Sequence, residues 1–134
     1  MNNLKIPVKI IIDSDCFGEI VVINERISFY GEVDPVTGIH KPSGKNINNK
    51  ILLFPSTRGS TVGSYILYAL KKYNNAPQCI IVEKAEPILV TGCVLGEIPL
   101  FVLNNLSFNY ISSIISDGFK AIHNKGEEWF VVEH

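Results

Sequence analysis

The segment Phe54-Pro55-Ser56-Thr57-Arg58-Gly59-Ser60-Thr61-Val62-Gly63-Ser64 gathers five hydroxyls, one guanidinium and two glycines into eleven residues. It begins at the end of an apolar run, Ile51-Leu52-Leu53-Phe54, and leads into positions with helical spacing. A strand, a polar loop and a helix start in that order make an anion site. The first N–H groups of a helix have no partner within it and carry partial positive charge, so a carboxylate or phosphate can bind there. Gly59 and Gly63 let such a group approach the backbone closely. Arg58 adds a guanidinium whose planar fork matches a carboxylate in two-point geometry. Ser56, Thr57, Thr61 and Ser64 offer further hydrogen bonds to the same anion. The same residue types also fit a plainer reading, in which Ser60 or Thr61 caps the helix, the other hydroxyls satisfy backbone groups and Arg58 is solvated.

Other residues with chemical potential are sparse. Cys16, Cys79 and Cys93 are odd in number and far apart in sequence, so local pairs build neither a disulfide framework nor a Cys-x-x-Cys metal knuckle. Three cysteines can hold an iron–sulfur cluster with one iron left open, but two of these lie in apolar runs and read as core. We therefore expect no metal in this chain, and a reducing cytoplasm around it. Asp34-Pro35 is the ordinary opening of a type I turn. His123, placed in a turn, and His134, at the chain end, are expected to be exposed and receive no role.

The elements that must position the loop follow from periodicity. From residue 4 to residue 12, Ile6, Val8, Ile10 and Ile12 recur at every second position, the period of a strand with one face buried. Residues 19–24 and 27–30 read as two further strands or one bent strand. Residues 31–50 lose periodicity and collect Asp34-Pro35, Thr37-Gly38 and Pro42-Ser43-Gly44, which predicts a long loop. After the short buried strand at 51–54, the spacing of Val62, Tyr65, Ile66, Ala69 and Leu70 predicts a helix starting near Ser60 and ending at Asn74-Asn75. A strand at 79–82, a helix of about two turns at 88–95, a strand at 99–103 and a short helical turn near Phe108 and Ile111 come next. Residues 118–122 and 128–132 predict a closing hairpin. The pattern is a single α/β domain over residues 1–134, a mixed and partly closed sheet with two main helices.

Composition limits what such a domain does. A chain of 134 residues buries about two thirds of its unfolded surface. With 46% apolar and 19% charged residues, it is no disordered chain and has apolar surface to spare for a partner. Twelve basic against thirteen acidic side chains leave no excess charge for nucleic acid. No apolar stretch has a membrane span's length of about 20 residues. Met1-Asn2-Asn3-Leu4-Lys5-Ile6 lacks the form of a signal peptide, so a soluble protein that is not exported is expected.

The string Pro55-Ser56-Thr57-Arg58-Gly59-Ser60-Thr61-Val62-Gly63-Ser64 resembles the Pro-Ser-x-Arg-Gly-Ser-x-x-Gly-Ser signature loop of the aconitase X swivel domain and small-subunit family. Gly31-Glu32-Val33-Asp34-Pro35-Val36-Thr37-Gly38 is similar to that family's Gly-x-Val-Asp-Pro-x-Thr-Gly loop. Glu86-Pro87-Ile88-Leu89 followed by Gly92 resembles its next block, so the likeness spans most of the chain. One departure is His40-Lys41-Pro42, where the family has a longer stretch with a His-Pro pair, and no role carries over to His40.

The resemblance implies a swivelling β/β/α fold like the mobile domain of aconitase. It implies the small subunit of a hydro-lyase, with Ser60 as proton acceptor and Arg58 as the cation for the substrate carboxylate. Ser56, Thr57, Gly59 and Thr61 are the accompanying substrate-binding candidates. The iron–sulfur cluster, [4Fe–4S] in type, is expected in a separate large subunit, which forms a heterodimer with this chain. Dehydration of mevalonate 5-phosphate in the archaeal mevalonate pathway is the favoured reaction. The alternatives are dehydration of another hydroxy acid such as hydroxyproline, or a non-catalytic anion-binding or structural partner subunit. A serine is a poor base at neutral pH, so the proposed role needs nearby positive charge and N–H donors to favour its alkoxide.

Overall fold

A computed structural model describes residues 3–134; Met1 and Asn2, at the start of the segment inspected for a signal peptide, lie outside the described residues. The elements in chain order are β1 (Asn3–Ile12), β2 (Cys16–Val22), a kinked helical turn α1 (Phe29–Glu32), β3 (Val33–Asp34), β4 (Ile39–His40) and β5 (Lys45–Asn46). They continue with β6 (Ile51–Phe54), α2 (Gly63–Lys72), β7 (Cys79–Val82), α3 (Pro87–Gly96), β8 (Leu100–Leu103), α4 (Phe108–Ile114), β9 (Lys120–His123) and β10 (Trp129–Glu133).

Seven strands close into a barrel in the order β1-β10-β9-β2-β6-β7-β8. The sheet expected to be partly closed is thus fully closed. Strands β2, β6, β7 and β8 run parallel, whereas β1, β10 and β9 run antiparallel and shut the barrel between β8 and β2. The parallel strands are joined by α2 and α3, and this arrangement accounts for their sequences. Ile51, Leu53, Cys79, Ile81, Phe101 and Leu103 point into the barrel, while Leu52, Phe54, Ile80, Val82 and Leu100 pack with the helices. A strand buried on both faces reads as a continuous apolar run, as Ile51-Leu52-Leu53-Phe54 does. On β1 the buried residues alternate instead, with Ile6 and Val8 inside. Its register shifts between Ile10 and Ile12, and past that point Ile12 packs with the helix-side core.

Helices α2 and α3 lie against one another with little between them. A methyl group added at Gly92 would sit 2.3 Å from Leu67 Cδ1 and 3.1 Å from Ser64 Cα, and one at Gly96 would sit 2.9 Å from the Leu67 carbonyl oxygen. The buried face of α2 is formed by Gly63, Ser64, Leu67 and Leu70. Tyr65, expected on that face, is 66% exposed, because the contact with α3 centres on Leu67. Helix α4 is capped by Ser107, whose hydroxyl accepts the Tyr110 N–H at 3.1 Å, and it adds Phe108 and Ile111 to the barrel cluster. Among the described residues no helix is long and apolar enough to cross a membrane.

Four expectations are corrected. Residues 31–50 are more than a loop: β3, β4 and β5 form a small antiparallel sheet, which two-residue strands do not announce by periodicity. Residues 27–30 are not a regular strand, since only Ile27 bridges to Thr57 before α1 begins. Cys16 and Cys79 are joined by a disulfide with Cα atoms 6.3 Å apart, because the fold brings β2 and β7 to opposite sides of β6 with both side chains facing inward. That pairing removes cysteine usage as a reason to expect a reducing compartment. His123 is fully buried on β9, its Nε2 2.8 Å from Asp13 Oδ1 and its Nδ1 3.0 Å from the Trp129 carbonyl.

Asp13 also accepts the Gly126 N–H at 2.9 Å, and so ties the β9–β10 turn to the end of β1. Burial works to raise the Asp13 pKa, but the hydrogen bonds from His123 and Gly126 outweigh it and hold the carboxyl below its usual range. The chain does turn at Asp34, but the Asp34 carbonyl accepts the Gly38 N–H at 2.7 Å, one residue further on than in a type I turn, and the Asp34 carboxylate accepts the Val36 N–H at 2.9 Å.

Candidate active-site loop

Strand β6 ends at Phe54, and the chain leaves the sheet at Pro55, whose carbonyl accepts the Glu83 and Lys84 N–H groups at 3.0 and 3.1 Å. The next three residues lie alongside Ile27. Its N–H donates to the Ser56 carbonyl, and the Arg58 N–H donates back to the Ile27 carbonyl, both at 3.0 Å. This short parallel bridge turns alternate side chains inward and outward. Thr57 is consequently buried, at 4% exposure, and its hydroxyl donates to Glu86 Oε1 at 3.3 Å. Ser56 Oγ accepts from Arg26 Nε at 3.1 Å, while Arg26 Nη2 donates to the Thr57 carbonyl at 2.7 Å. Thr57 faces the interior and Ser56 is engaged by Arg26, so both anchor the loop. The inward turn at the bridge sets Thr57, a substrate-binding candidate, beneath the exposed face of the loop.

Arg58, Gly59, Ser60, Thr61 and Val62 are exposed. Gly59 has φ +98°, and a methyl group there would meet Ser28 Oγ at 2.6 Å. A side chain there would be strained by the conformation and would force the Ser28 hydroxyl to shift. The Ser60 carbonyl accepts the Gly63 N–H at 3.2 Å, and the Thr61 carbonyl accepts the Ser64 N–H at 3.3 Å. The chain is therefore already coiling at Ser60, although regular helix begins at Gly63 and no side chain caps α2. Two consequences follow for an anion. The amides of Gly63 and Ser64 are partly spent on these carbonyls, and the buried hydroxyl of Ser64 donates to the Thr61 carbonyl at 2.9 Å. Ser60 stands instead at the positive end of a ten-residue helix, where a developing negative charge is favoured.

Arg58 is not solvated alone. Its Nη2 donates to Glu32 Oε2. Oε1 of that carboxylate accepts the Ser28 N–H at 2.9 Å and lies 3.6 Å from His40 Nε2. His40 is 2% exposed, with Nδ1 2.7 Å from Ser43 Oγ. Burial lowers the imidazole's pKa from its usual value, against the opposite pull of Glu32. Sequence reasoning missed Glu32, Arg26 and Glu86. The only signal for Glu32 was its place in the Gly31–Asp34 string, which says nothing of a partner 26 residues away.

The cysteines do not fit a metal cluster. Two are bonded to each other, and the third, Cys93, is buried with its thiol pKa pushed well up by desolvation, which disfavours the thiolate a metal requires. Among the described residues no three His, Cys, Asp or Glu side chains gather in a metal-binding group.

A closed barrel flanked by two helices, with an exposed polar loop between a parallel strand and a helix, defines a swivel-type β/β/α domain. The family model described as aconitase X swivel domain matches residues 5–128, and the chain belongs to that family. It is 45% identical over 102 residues to the phosphomevalonate dehydratase small subunit of Thermococcus kodakarensis, covering 72% of this chain and 77% of that one. It is 42% identical over 117 residues to the protein of the same name in Aeropyrum pernix, covering 87% and 85%. Its fold superposes on the crystal structure of Thermococcus kodakaraensis aconitase X in its holo-form with a TM-score of 0.86, at 36% identity, covering 98% of this chain and 99% of that chain.

Proposed function

We propose that this chain is the small subunit of a phosphomevalonate dehydratase and that it supplies the proton acceptor, Ser60, to a site completed by a large subunit. The single observation that carries the mechanism is the exposed Arg58-Gly59-Ser60 turn. It is held from beneath by Thr57, Arg26 and Glu86, and set at the positive end of α2. The family membership supports the assignment, as do the relatives that bear the enzyme's name.

In mevalonate 5-phosphate the acidic C–H lies next to the carboxylate, and the hydroxyl to be lost is on the neighbouring carbon. Arg58 holds the carboxylate by its free guanidinium N–H groups. Ser60 Oγ takes the proton, the C–H electron pair becomes the double bond of trans-anhydromevalonate 5-phosphate, and the hydroxyl departs with the C–O electron pair. A proton from solvent turns that hydroxide into water, and Ser60 returns its own proton to solvent to close the cycle. The helix dipole and the nearby guanidinium lower the cost of the serine alkoxide. Gly59 and the exposed Thr61 border the same surface and complete the contact with substrate. The iron–sulfur cluster that such an enzyme would use as Lewis acid toward a hydroxyl is assigned in this reading to the large subunit; the Cys16–Cys79 disulfide and the buried Cys93 thiol of this chain support that assignment.

The test is coexpression with the large subunit and assay of mevalonate 5-phosphate loss. Ser60→Ala should leave association and folding unchanged and lower kcat by orders of magnitude, as loss of a proton acceptor does. Wild-type turnover in that variant would remove Ser60 from the reaction. Turnover of hydroxyproline instead of mevalonate 5-phosphate would reassign the substrate.

A further inference from the structure

From the contacts around Arg58 we propose that Glu32 is a positioning residue, which fixes the guanidinium so that its remaining N–H groups face the substrate carboxylate. This inference rests on the role given to Arg58 above.

Arg58 and Glu32 differ in how firmly each is held. The Arg58 side chain is 51% exposed, and a long arm of that kind samples many rotamers when unsupported. The Glu32 side chain is only 17% exposed. Its Oε1 is fixed by the Ser28 N–H at 2.9 Å, and the wall behind it is the buried ring of His40, 3.6 Å away. The backbone on either side is tied down as well. The Lys41 N–H donates to the Glu32 carbonyl at 2.7 Å, and Ser28 is the residue that packs against Gly59 of the catalytic turn. Glu32 thus belongs to a rigid platform, and Oε2 extends from it to one corner of the guanidinium. A guanidinium has five N–H donors, and the structure commits only Nη2 to Glu32. An edge is left for a two-point grip on an incoming carboxylate. Both Glu32 carboxylate oxygens are already engaged, Oε1 by the Ser28 N–H and Oε2 by Arg58, so Glu32 acts through Arg58.

The experiment has a structural and a kinetic arm. Arginine side-chain NMR on the full chain should show the Arg58 Nε–H ordered in the wild type and mobile in Glu32→Ala; equal order in both overturns the proposal, whatever the substrate. In the two-subunit enzyme, Glu32→Ala should raise KM for mevalonate 5-phosphate on the order of tenfold with a much smaller change in kcat, and Glu32→Gln, which keeps an acceptor oxygen, should recover part of it. Because Glu32 acts through Arg58, Arg58→Ala and the double variant Arg58→Ala/Glu32→Ala should have the same KM. If Glu32→Ala adds its full loss on the Arg58→Ala background, its role is only structural. If KM falls in Glu32→Ala, the carboxylate competes with substrate, and the proposal is wrong in sign. Wild-type kinetics in Arg58→Ala would instead sink the role given to Arg58, and with it any effect of Glu32 on substrate.

Discussion

Gly59 shows at the scale of one residue how the turn is specified. Its φ of +98° is costly for any side chain, and the Ser28 hydroxyl occupies the space a methyl group would need, 2.6 Å away. Gly59→Ala should therefore strain or displace the turn by about 1–3 kcal/mol. The chain should stay folded, because the turn is exposed and its neighbours are hydroxyls that can shift. The expected readout is a kcat/KM reduced on the order of a hundredfold, with a near wild-type thermal unfolding curve. Full activity would mean that the turn tolerates other shapes. The glycine and the hydroxyls were visible as residue types. Which hydroxyls point outward was not, since it depends on the Ile27 bridge that sends Thr57 inward.

The elements matter through the way α2 presents its first residues. Helices α2 and α3 touch through Gly92 and Gly96, which leave room for Leu67 and the backbone at Ser64. That contact fixes the height and tilt at which α2, and Ser60 before it, stand above the barrel end. Gly92→Ala places a methyl group 2.3 Å from Leu67 Cδ1 and 3.1 Å from Ser64 Cα, and overpacking of this kind costs about 1–3 kcal/mol. A lower Tm and a reduced kcat are both expected, since the same shift that relieves the clash moves the turn. An unchanged Tm would show that α3 can slide without cost. At this scale the two main helices and the two-sided strands were readable. The small β3–β4–β5 sheet was not, because strands of two residues are too short to show a period.

For the whole molecule, closure of the barrel is the event that sets the core. It brings Cys16 and Cys79 together across 63 residues of sequence, and a loop of that length implies about 4 kcal/mol of stabilisation by restriction of the unfolded chain. Reduction, or Cys16→Ser/Cys79→Ser, should lower the unfolding midpoint. Thiol titration of the unfolded protein should find one free thiol before reduction, that of Cys93, and three after. Three thiols before reduction would show the bridge absent. Alternation in β1, apolar runs in the parallel strands and the loop string around Ser60 are local patterns, and by themselves they determined the α/β class, the two main helices and the candidate loop. Pairing across the barrel, the burial of His123 on Asp13, and the carboxylate of Glu32 on Arg58 join residues 110 and 26 positions apart. Only the tertiary structure decided these, because each depends on where chain closure leaves two distant side chains, and no local periodicity records that distance.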